Sequence, residues 1–429
     1  MGVFLMVIHG SDGDLLPMLR IGRALRARDH DVTILTHARY SNRIRQAGLA
    51  FIPVDMMSGA SGSGRGNPDV LRQVAGELSD APRHLAAISE FVPQLRFECR
   101  ALLRRHRPGQ TVLVSGCPLN MSALTVGEAL GAPVACLAIA PQYLLAIPDQ
   151  APVLAATLGD DVASARAELG LPPVTDWSAW MLSADTYLGL WPEWFEEAGP
   201  AAPVRTRLTG FVLPDAGEGE EFPPAAAALL AGSVRPILVT GGTSQMLHGD
   251  FYPVALAACT GLDRPVLLVA AQRDLPDGPL PPNVHWFPRL PFATVISQAA
   301  AVLHHGGLST TARAAVAGVP QVVLGYGFDR VDNGARLAGA GAGAFLPADE
   351  WHPDRVRRLL DTALSTARPA PRPIGRVDDP GAHGADPVPL GADPVALAAD
   401  PVALAADELE RLAARRLPGF AARAGPATR

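Results

Sequence analysis

A chain of 429 residues exceeds what one hydrophobic core organises, and its 48% hydrophobic and 18% charged residues supply two folded domains rather than a disordered chain. Lys and Arg number 36 against 42 Asp and Glu, a formal charge of −6, and no long basic run is present that could track a phosphate backbone, which argues against nucleic acid as a partner. No stretch reaches the roughly 20 apolar residues needed to span a bilayer, so membrane insertion is not expected.

The first nine residues are apolar but lack a basic leader and a cleavage site, and read as a buried first strand. Val3 to Ile8 is a run of strand length, followed by the turn Gly10-Ser11-Asp12-Gly13-Asp14 and a segment to Arg28 with Leu16, Leu19 and Leu25 at helical spacing. Strand patterns return at 31–36, 111–115 and 133–138 with helical segments between them, the alternation of a parallel sheet covered on both faces. Met56 to Asp69 is rich in Gly and Ser and reads as a surface loop, with or without a role near a binding site. A second series of strands is expected at 236–240, 266–270, 302–304 and 321–324. The domain boundary is placed between them: 1–206 as a first α/β domain, 207–232 as a solvated linker, 233–366 as a second α/β domain. Two such halves on one linker should form a cleft facing the carboxyl ends of both sheets. Residues 367–429 carry near-repeats with Pro every seventh residue, a low-complexity tail in which a helix is allowed only from about Asp400 to Arg416.

Cys99, Cys117, Cys136 and Cys259 have neither the close pairing of a zinc site nor the density of a disulfide scaffold, so the expected compartment is the cytoplasm and no metal is called for. His37, His84 and His106 have no partner visible in the sequence and read as surface or core residues. Trp177, Trp180, Trp191 and Trp194 offer flat apolar faces for an acceptor molecule, although Trp191 fits better as packing before the linker.

The strongest chemical signal lies at 302–311. An apolar strand ends in His304-His305, passes through Gly306-Gly307 and enters a helix through Leu308-Ser309-Thr310-Thr311. Small residues expose backbone N–H groups at a helix start, where the dipole favours a phosphate, and a His beside it can offset growing negative charge. The alternative is an ordinary strand-to-helix turn capped by Ser309 with a buried His. In the first turn, Asp14 stands where a helix-start carboxylate serves the dipole, with His9 and Asp12 flanking it. A dinucleotide-dependent oxidoreductase would need Gly-x-Gly-x-x-Gly after the first strand, and Gly10-Ser11-Asp12-Gly13 does not supply it.

The stretch HHGGLSTTARAAVAGVPQVVLGYGFDRVDN, from His304 to Asn333, resembles the donor-site signature of the UDP-glycosyltransferase superfamily, the GT-B-fold glycosyltransferase family 1. The resemblance extends over nearly the whole chain to about residue 365. It includes Val239 to Ser244, Thr209-Gly210-Phe211, and His285 to Phe292 as the base-reading loop. Gly13-Asp14-Leu15-Leu16-Pro17 is similar to the Asp form of the family's first-turn motif, found in its antibiotic and sterol branches. It implies a fold of two Rossmann-like, doubly wound domains and an inverting transfer of sugar from a UDP- or dTDP-sugar to a hydroxyl of a small apolar acceptor, with no cofactor beyond the donor. Thr243, Arg289, Leu290, His305, Gly306, Gly307, Ser309 and Thr310 would hold the donor, Asp329 the sugar hydroxyls, and Asn333 would face the phosphates. Arg330 stands where many relatives have Gln, and either pairs with a charged sugar or points to solvent. Asp14 would take the acceptor's proton, with His9 and Asp12, which flank the same turn, as the fallback bases. The competing readings are a sugar-nucleotide epimerase of the same fold and a homologue that binds without catalysis.

Overall fold

In the computed structural model, residues 1–54, 92–117, 121–197, 202–213, 222–242, 247–271, 278–327, 329–365 and 400–418 are described. They separate into two units, Met1–Val212 with Ala399–Arg429, and Leu213–Ala398. The loop at 56–69, His84, Thr243 and the repeats before residue 400 fall outside the described residues.

The first unit runs β1 (Val3–Val7), α1 (Asp12–Ala27), β2 (Asp31–Thr36), α2 (Ser41–Gln46), β3 (Ala50–Pro53), α3 (Val92–Arg105), β4 (Thr111–Gly116), α4 (Met121–Leu130), β5 (Val134–Ala138), α5 (Gln142–Leu145), α6 (Ile147–Ala167), α7 (Trp177–Met181), β6 (Thr186–Gly189) and β7 (Thr206–Leu208). All seven strands are parallel, in the order β3-β2-β1-β4-β5-β6-β7. The order reverses between β1 and β4, so the crevice above their carboxyl ends is where such a sheet accepts a ligand.

The second unit runs α8 (Pro224–Leu230), β8 (Ile237–Thr240), α9 (Phe251–Cys259), β9 (Val266–Val269), β10 (Val284–Phe287), α10 (Phe292–Gln298), β11 (Ala301–His304), α11 (Leu308–Val316), β12 (Gln321–Gly325), α12 (Asp329–Gly339), β13 (Ala344–Pro347) and α13 (Pro353–Ser365). Its six strands are parallel too, ordered β10-β9-β8-β11-β12-β13, with the reversal between β8 and β11. One face of this sheet packs under Phe251, Leu256, Val356 and Leu360, the other under Val295, Ile296 and Ala314.

A last helix, α14 (Pro401–Arg416), belongs to the first unit. The final copy of the repeat supplies its start. Asp400 caps the helix by accepting from the Val402 N–H at 2.9 Å, and Pro401 takes a first-turn position where no N–H is needed. Val402, Ala405, Leu409 and Leu412 then enter the core formed by β1 and α1 with Phe4, Met6, Met18 and Leu25. Charge fixes the helix further: Arg28 reaches Asp407 at 2.6 Å and Glu410 at 2.7 Å, and His30 Nε2 lies 2.7 Å from Glu410. Gly2 N–H donates to His30 Nδ1 at 3.0 Å, so Nε2 carries the proton that meets Glu410.

These features change three readings of the sequence. The segment read as the tail returns its last helix to the first unit. The segment 207–232 is not all solvated linker, because 206–208 form β7 and 224–230 form α8. Cys117, the residue after β4, and Cys136, in the middle of β5, are joined by a disulfide, which the spacing of the four cysteines did not suggest.

Candidate functional site

At the switch point of the first sheet, His9 follows the end of β1 and Asp14 lies in the first turn of α1. Ser11 is the N-cap, and Asp14 is the third helical residue. The Asp14 Oδ2 accepts from the Ser11 N–H at 2.7 Å and from the Ser11 hydroxyl at 3.1 Å, while the Ser11 Oγ accepts from the Gly13 N–H at 3.2 Å. This reciprocal cap fixes the carboxylate. Gly10 permits it: φ is +108°, and a Cβ there would stand 2.3 Å from Asp14 Oδ2. Arg39 donates to the Gly10 carbonyl at 2.8 Å and braces the same turn. The helix-start role weighed for Asp14 is therefore present in the geometry beside any chemical one. Asp12 instead pairs with Arg43 at 3.1 Å.

His9 has a partner that the sequence did not disclose. Its Nε2 lies 3.1 Å from Oε1 of Glu98, a carboxylate on α3 only 2% exposed. Burial pulls the His9 pKa down, but the charge and hydrogen bond of Glu98, with the charge of Asp14, outweigh it and leave the imidazole above its ordinary value. Nothing local marks Glu98, since the only cue is an acidic residue on the buried side of a helix whose packing is not legible from the chain.

At the switch point of the second sheet, β11 ends in His304 and α11 begins after Gly307. His304 is fully buried. Its Nδ1 accepts from the Gly306 N–H at 3.2 Å, so its Nε2 donates to Gln321 Oε1 at 3.0 Å, and burial lowers its pKa to about 4. It is a structural residue that holds the glycine loop. His305, 6% exposed, lies against Gly242 and Gly307, where a Cβ would approach its ring to 2.5 and 2.6 Å. Burial first, then the Arg330 guanidinium and His304, push its pKa well below the ordinary value, while a backbone contact at Thr240 acts in the opposite sense. His305 is thus neutral.

Gly307 is the N-cap of α11 and offers no side chain to the first amides, and Ser309 stands inside the helix rather than capping it. The Gly306 backbone has φ +90°, and a Cβ there would meet the Arg330 carbonyl oxygen at 2.7 Å and the Arg330 Cβ at 3.2 Å. Asn333 is fully buried. Its Nδ2 donates to the Gly306 carbonyl at 3.1 Å and to Asp329 Oδ2 at 2.8 Å, so it orients both the loop and the carboxylate. Asp329 is 8% and Thr310 6% exposed. Arg330 does not point to solvent as one reading of the sequence had it: it is 5% exposed. Of His285 to Phe292, the segment expected to read the base, 285–287 belong to β10 and Phe292 opens α10, which leaves Pro288 to Pro291 as loop, with Arg289 exposed and Leu290 in the core. Trp177, Trp180 and Trp191 are buried; Trp191 donates to the Glu196 carbonyl at 3.1 Å just beyond β6.

Two doubly wound parallel sheets, the second with a glycine-lined helix start at its switch point, are an architecture suited to a phosphate-bearing ligand. Residues 4–147 match the glycosyltransferase family 28 N-terminal domain, and 254–370 match the erythromycin biosynthesis protein CIII-like C-terminal domain. The chain therefore belongs to the GT-B glycosyltransferases that these two domains define.

Relatives span it to different extents. The dTDP-epi-vancosaminyltransferase of Amycolatopsis orientalis is 27% identical over 83% of this chain and 88% of its own length. The TDP-daunosamine transferase DnrS of Streptomyces peucetius is 28% identical over 84% and 89%. The aklavinone 7-beta-L-rhodosaminyltransferase of Streptomyces galilaeus is 35% identical, but over 31% of each chain. Among solved structures, the kitacinnamycin glycosyltransferase superposes with a TM-score of 0.63 at 22% identity, covering 85% of this chain and 91% of its own. VinC in complex with dTDP superposes at 0.61 and 20% identity, with 85% and 91% covered. None of these names is an epimerase.

Proposed function

We propose that this glycosyltransferase moves a sugar from a dTDP- or UDP-sugar to a hydroxyl of a small apolar acceptor, of the kind made in bacterial antibiotic biosynthesis, with inversion at the anomeric carbon. The observation that carries the donor class is the start of α11: backbone amides without a capping side chain, beside a neutral His305 held between two glycines. A diphosphate has the size and charge to fill such a cradle, and its negative charge grows as the bond to the sugar breaks. Two of the relatives are named for dTDP- or TDP-sugars, so dTDP is the first donor nucleotide to test. Asp329, oriented by Asn333, is positioned to accept hydrogen bonds from sugar hydroxyls. Leu290 and Arg289 belong to the segment proposed to meet the base.

Asp14 is the proposed base. Displacement at an anomeric centre runs through an oxocarbenium-like state, so the hydroxyl proton leaves late and a carboxylate held in place suffices to accept it. No metal ion is required in this scheme, and a chelator should leave the rate unchanged.

The test is a thermal-shift series with dTDP, UDP and NAD. A nucleoside diphosphate at about 100 times its Kd adds about 2.7 kcal/mol, or roughly 5–10 °C for a domain of this size. Stabilisation by NAD alone would remove the proposal. The best nucleotide then defines the sugar donor for acceptor trials.

A further inference from the structure

His9 and Glu98 are nearly closed to solvent, with side chains 9% and 3% exposed and Nε2 3.1 Å from Oε1. A pair so sheltered is a poor device for stability alone, because desolvating both charges cancels most of what their attraction returns. Its place in the first unit gives it another use. His9 follows β1 at the switch point, and the next residue, Gly10, packs so closely on Asp14 that a Cβ there would stand 2.3 Å from Oδ2. The Asp14 carboxylate therefore lies against the backbone that leaves His9. Burial pulls His9 toward its neutral form, and the charge and hydrogen bond of Glu98, followed by the charge of Asp14, overcome it. Such an interaction is mutual: as Asp14 favours the cation on His9, that cation favours the carboxylate on Asp14 by the same amount. Among the described residues, the titratable groups facing His9 are Glu98 from α3, Asp14 from α1 and His37 after β2, whose ring centre is 6.5 Å away. Around Asp14 stand Asp12, paired with Arg43, and Tyr40, whose pKa burial pushes up to about 12, so that it stays neutral. Arg39, at the Gly10 carbonyl, and Arg43 are open to solvent, which screens them.

Resting on Asp14 as the base proposed above, we infer that Glu98 is a positioning residue for the transfer: by holding a cation on His9, it keeps the Asp14 carboxylate ready for the acceptor's proton. An apolar acceptor that covers Asp14 removes water from it, and desolvation favours the neutral acid, which cannot serve as a base. The sheltered cation opposes that change on the acid side of neutrality, where His9 is charged. Toward alkaline pH the carboxylate needs no such help. The step moves one proton, from the acceptor hydroxyl to Asp14. The acceptor oxygen bonds the anomeric carbon, the C–O bond to the diphosphate breaks, and its electron pair leaves with the diphosphate. His9 and Glu98 exchange no proton.

Two measurements on the full chain test this. Histidine-labelled wild type, Asp14→Asn and Glu98→Gln are titrated by NMR from about pH 5 to 9, and the double variant of His9→Gln with Glu98→Gln assigns the His9 signal. His9 should titrate above ~6.5 in wild type, lower in Asp14→Asn and lower still in Glu98→Gln. An unchanged titration in Asp14→Asn overturns the inference, because the two groups then share no field. Turnover is followed with dTDP-glucose as donor and 2-naphthylmethanol, an apolar alcohol that does not titrate in this range, as acceptor. The acid limb of kcat should move up by about one pH unit in Glu98→Gln, the lower end of what a nearby opposite charge does. Its kcat should then be about tenfold below wild type near pH 6, with the gap narrowing toward pH 9. The double variant, which leaves no buried charge unpaired, should show the same limb and serves if Glu98→Gln does not fold. A loss of equal size at every pH, in either variant, makes the pair merely structural and overturns the inference. Full transfer by Asp14→Asn, with the His9 titration still responding to that substitution, rejects Asp14 as the base and keeps the coupled charges. With no transfer to this alcohol, the titrations alone decide.

Discussion

Glu98→Gln isolates the pair beneath the first-sheet switch point. Glu98 is 2% exposed and 3.1 Å from His9 Nε2, and Gln keeps the shape and a carbonyl oxygen for that contact while removing the charge. What is lost is the charged part of a buried hydrogen bond, about 1.5–3 kcal/mol. For a domain of roughly 200 residues, 1 kcal/mol moves Tm by about 2–4 °C, so a loss near ~2 kcal/mol gives about 4–8 °C. The sign of its pH dependence follows from His9, whose folded pKa is raised above its unfolded one. Stabilisation by protonated His9 is complete below the unfolded value near ~6.5 and disappears as pH rises through the folded value. The Tm gap between wild type and Glu98→Gln should accordingly be widest near pH 6 and close toward pH 9. Circular dichroism melts at intervals across that range measure it. A gap that is constant with pH, or that widens as pH rises, would refute the charged pair.

Three other outcomes are expected. Asp14→Asn should keep the dTDP-induced rise in Tm and lower transfer by about 10²- to 10⁴-fold, the usual span for a general base; full transfer would move the base to His9 or Asp12. Gly306→Ala places a Cβ at φ +90° and against the Arg330 carbonyl, so the dTDP shift should vanish while the first unit melts as before, readable as a split calorimetric transition. Leu409→Ala, fully buried under α1, should cost about 2–5 kcal/mol, and proteolysis near residue 400 should accelerate with it.

Much of the fold was legible because it is written in local pattern. The apolar runs of β1, β2, β4, β5, β8, β9, β11 and β12, broken in β2 by Thr33, announce strands buried on both faces, as parallel sheets require. The strands that escaped notice, β3, β6, β7, β10 and β13, are no longer than β8, β9 and β11 but each contains Gly, Pro, Arg or an internal His, so no run of Val, Leu and Ile marks them. The C-terminal helix was expected in place but not in partnership, since what its apolar stripe covers depends on a segment hundreds of residues earlier.

At the site the same division holds. Contacts within one turn of helix are dictated by spacing: Ser11 with Asp14 at i, i+3, and Asp329 with Asn333 at i, i+4. The glycines around His305 likewise mark a helix start open to an anion. Charge states are not local. That Glu98 holds His9 above its ordinary pKa, and that Arg330 is folded inward to leave His305 neutral, follow from burial and from charges brought close by separate elements. The sequence by itself determined which side chains are present at each switch point. Only the tertiary structure decided which of them carry charge, because the cost of a charge depends on the solvent and partners that packing leaves around it.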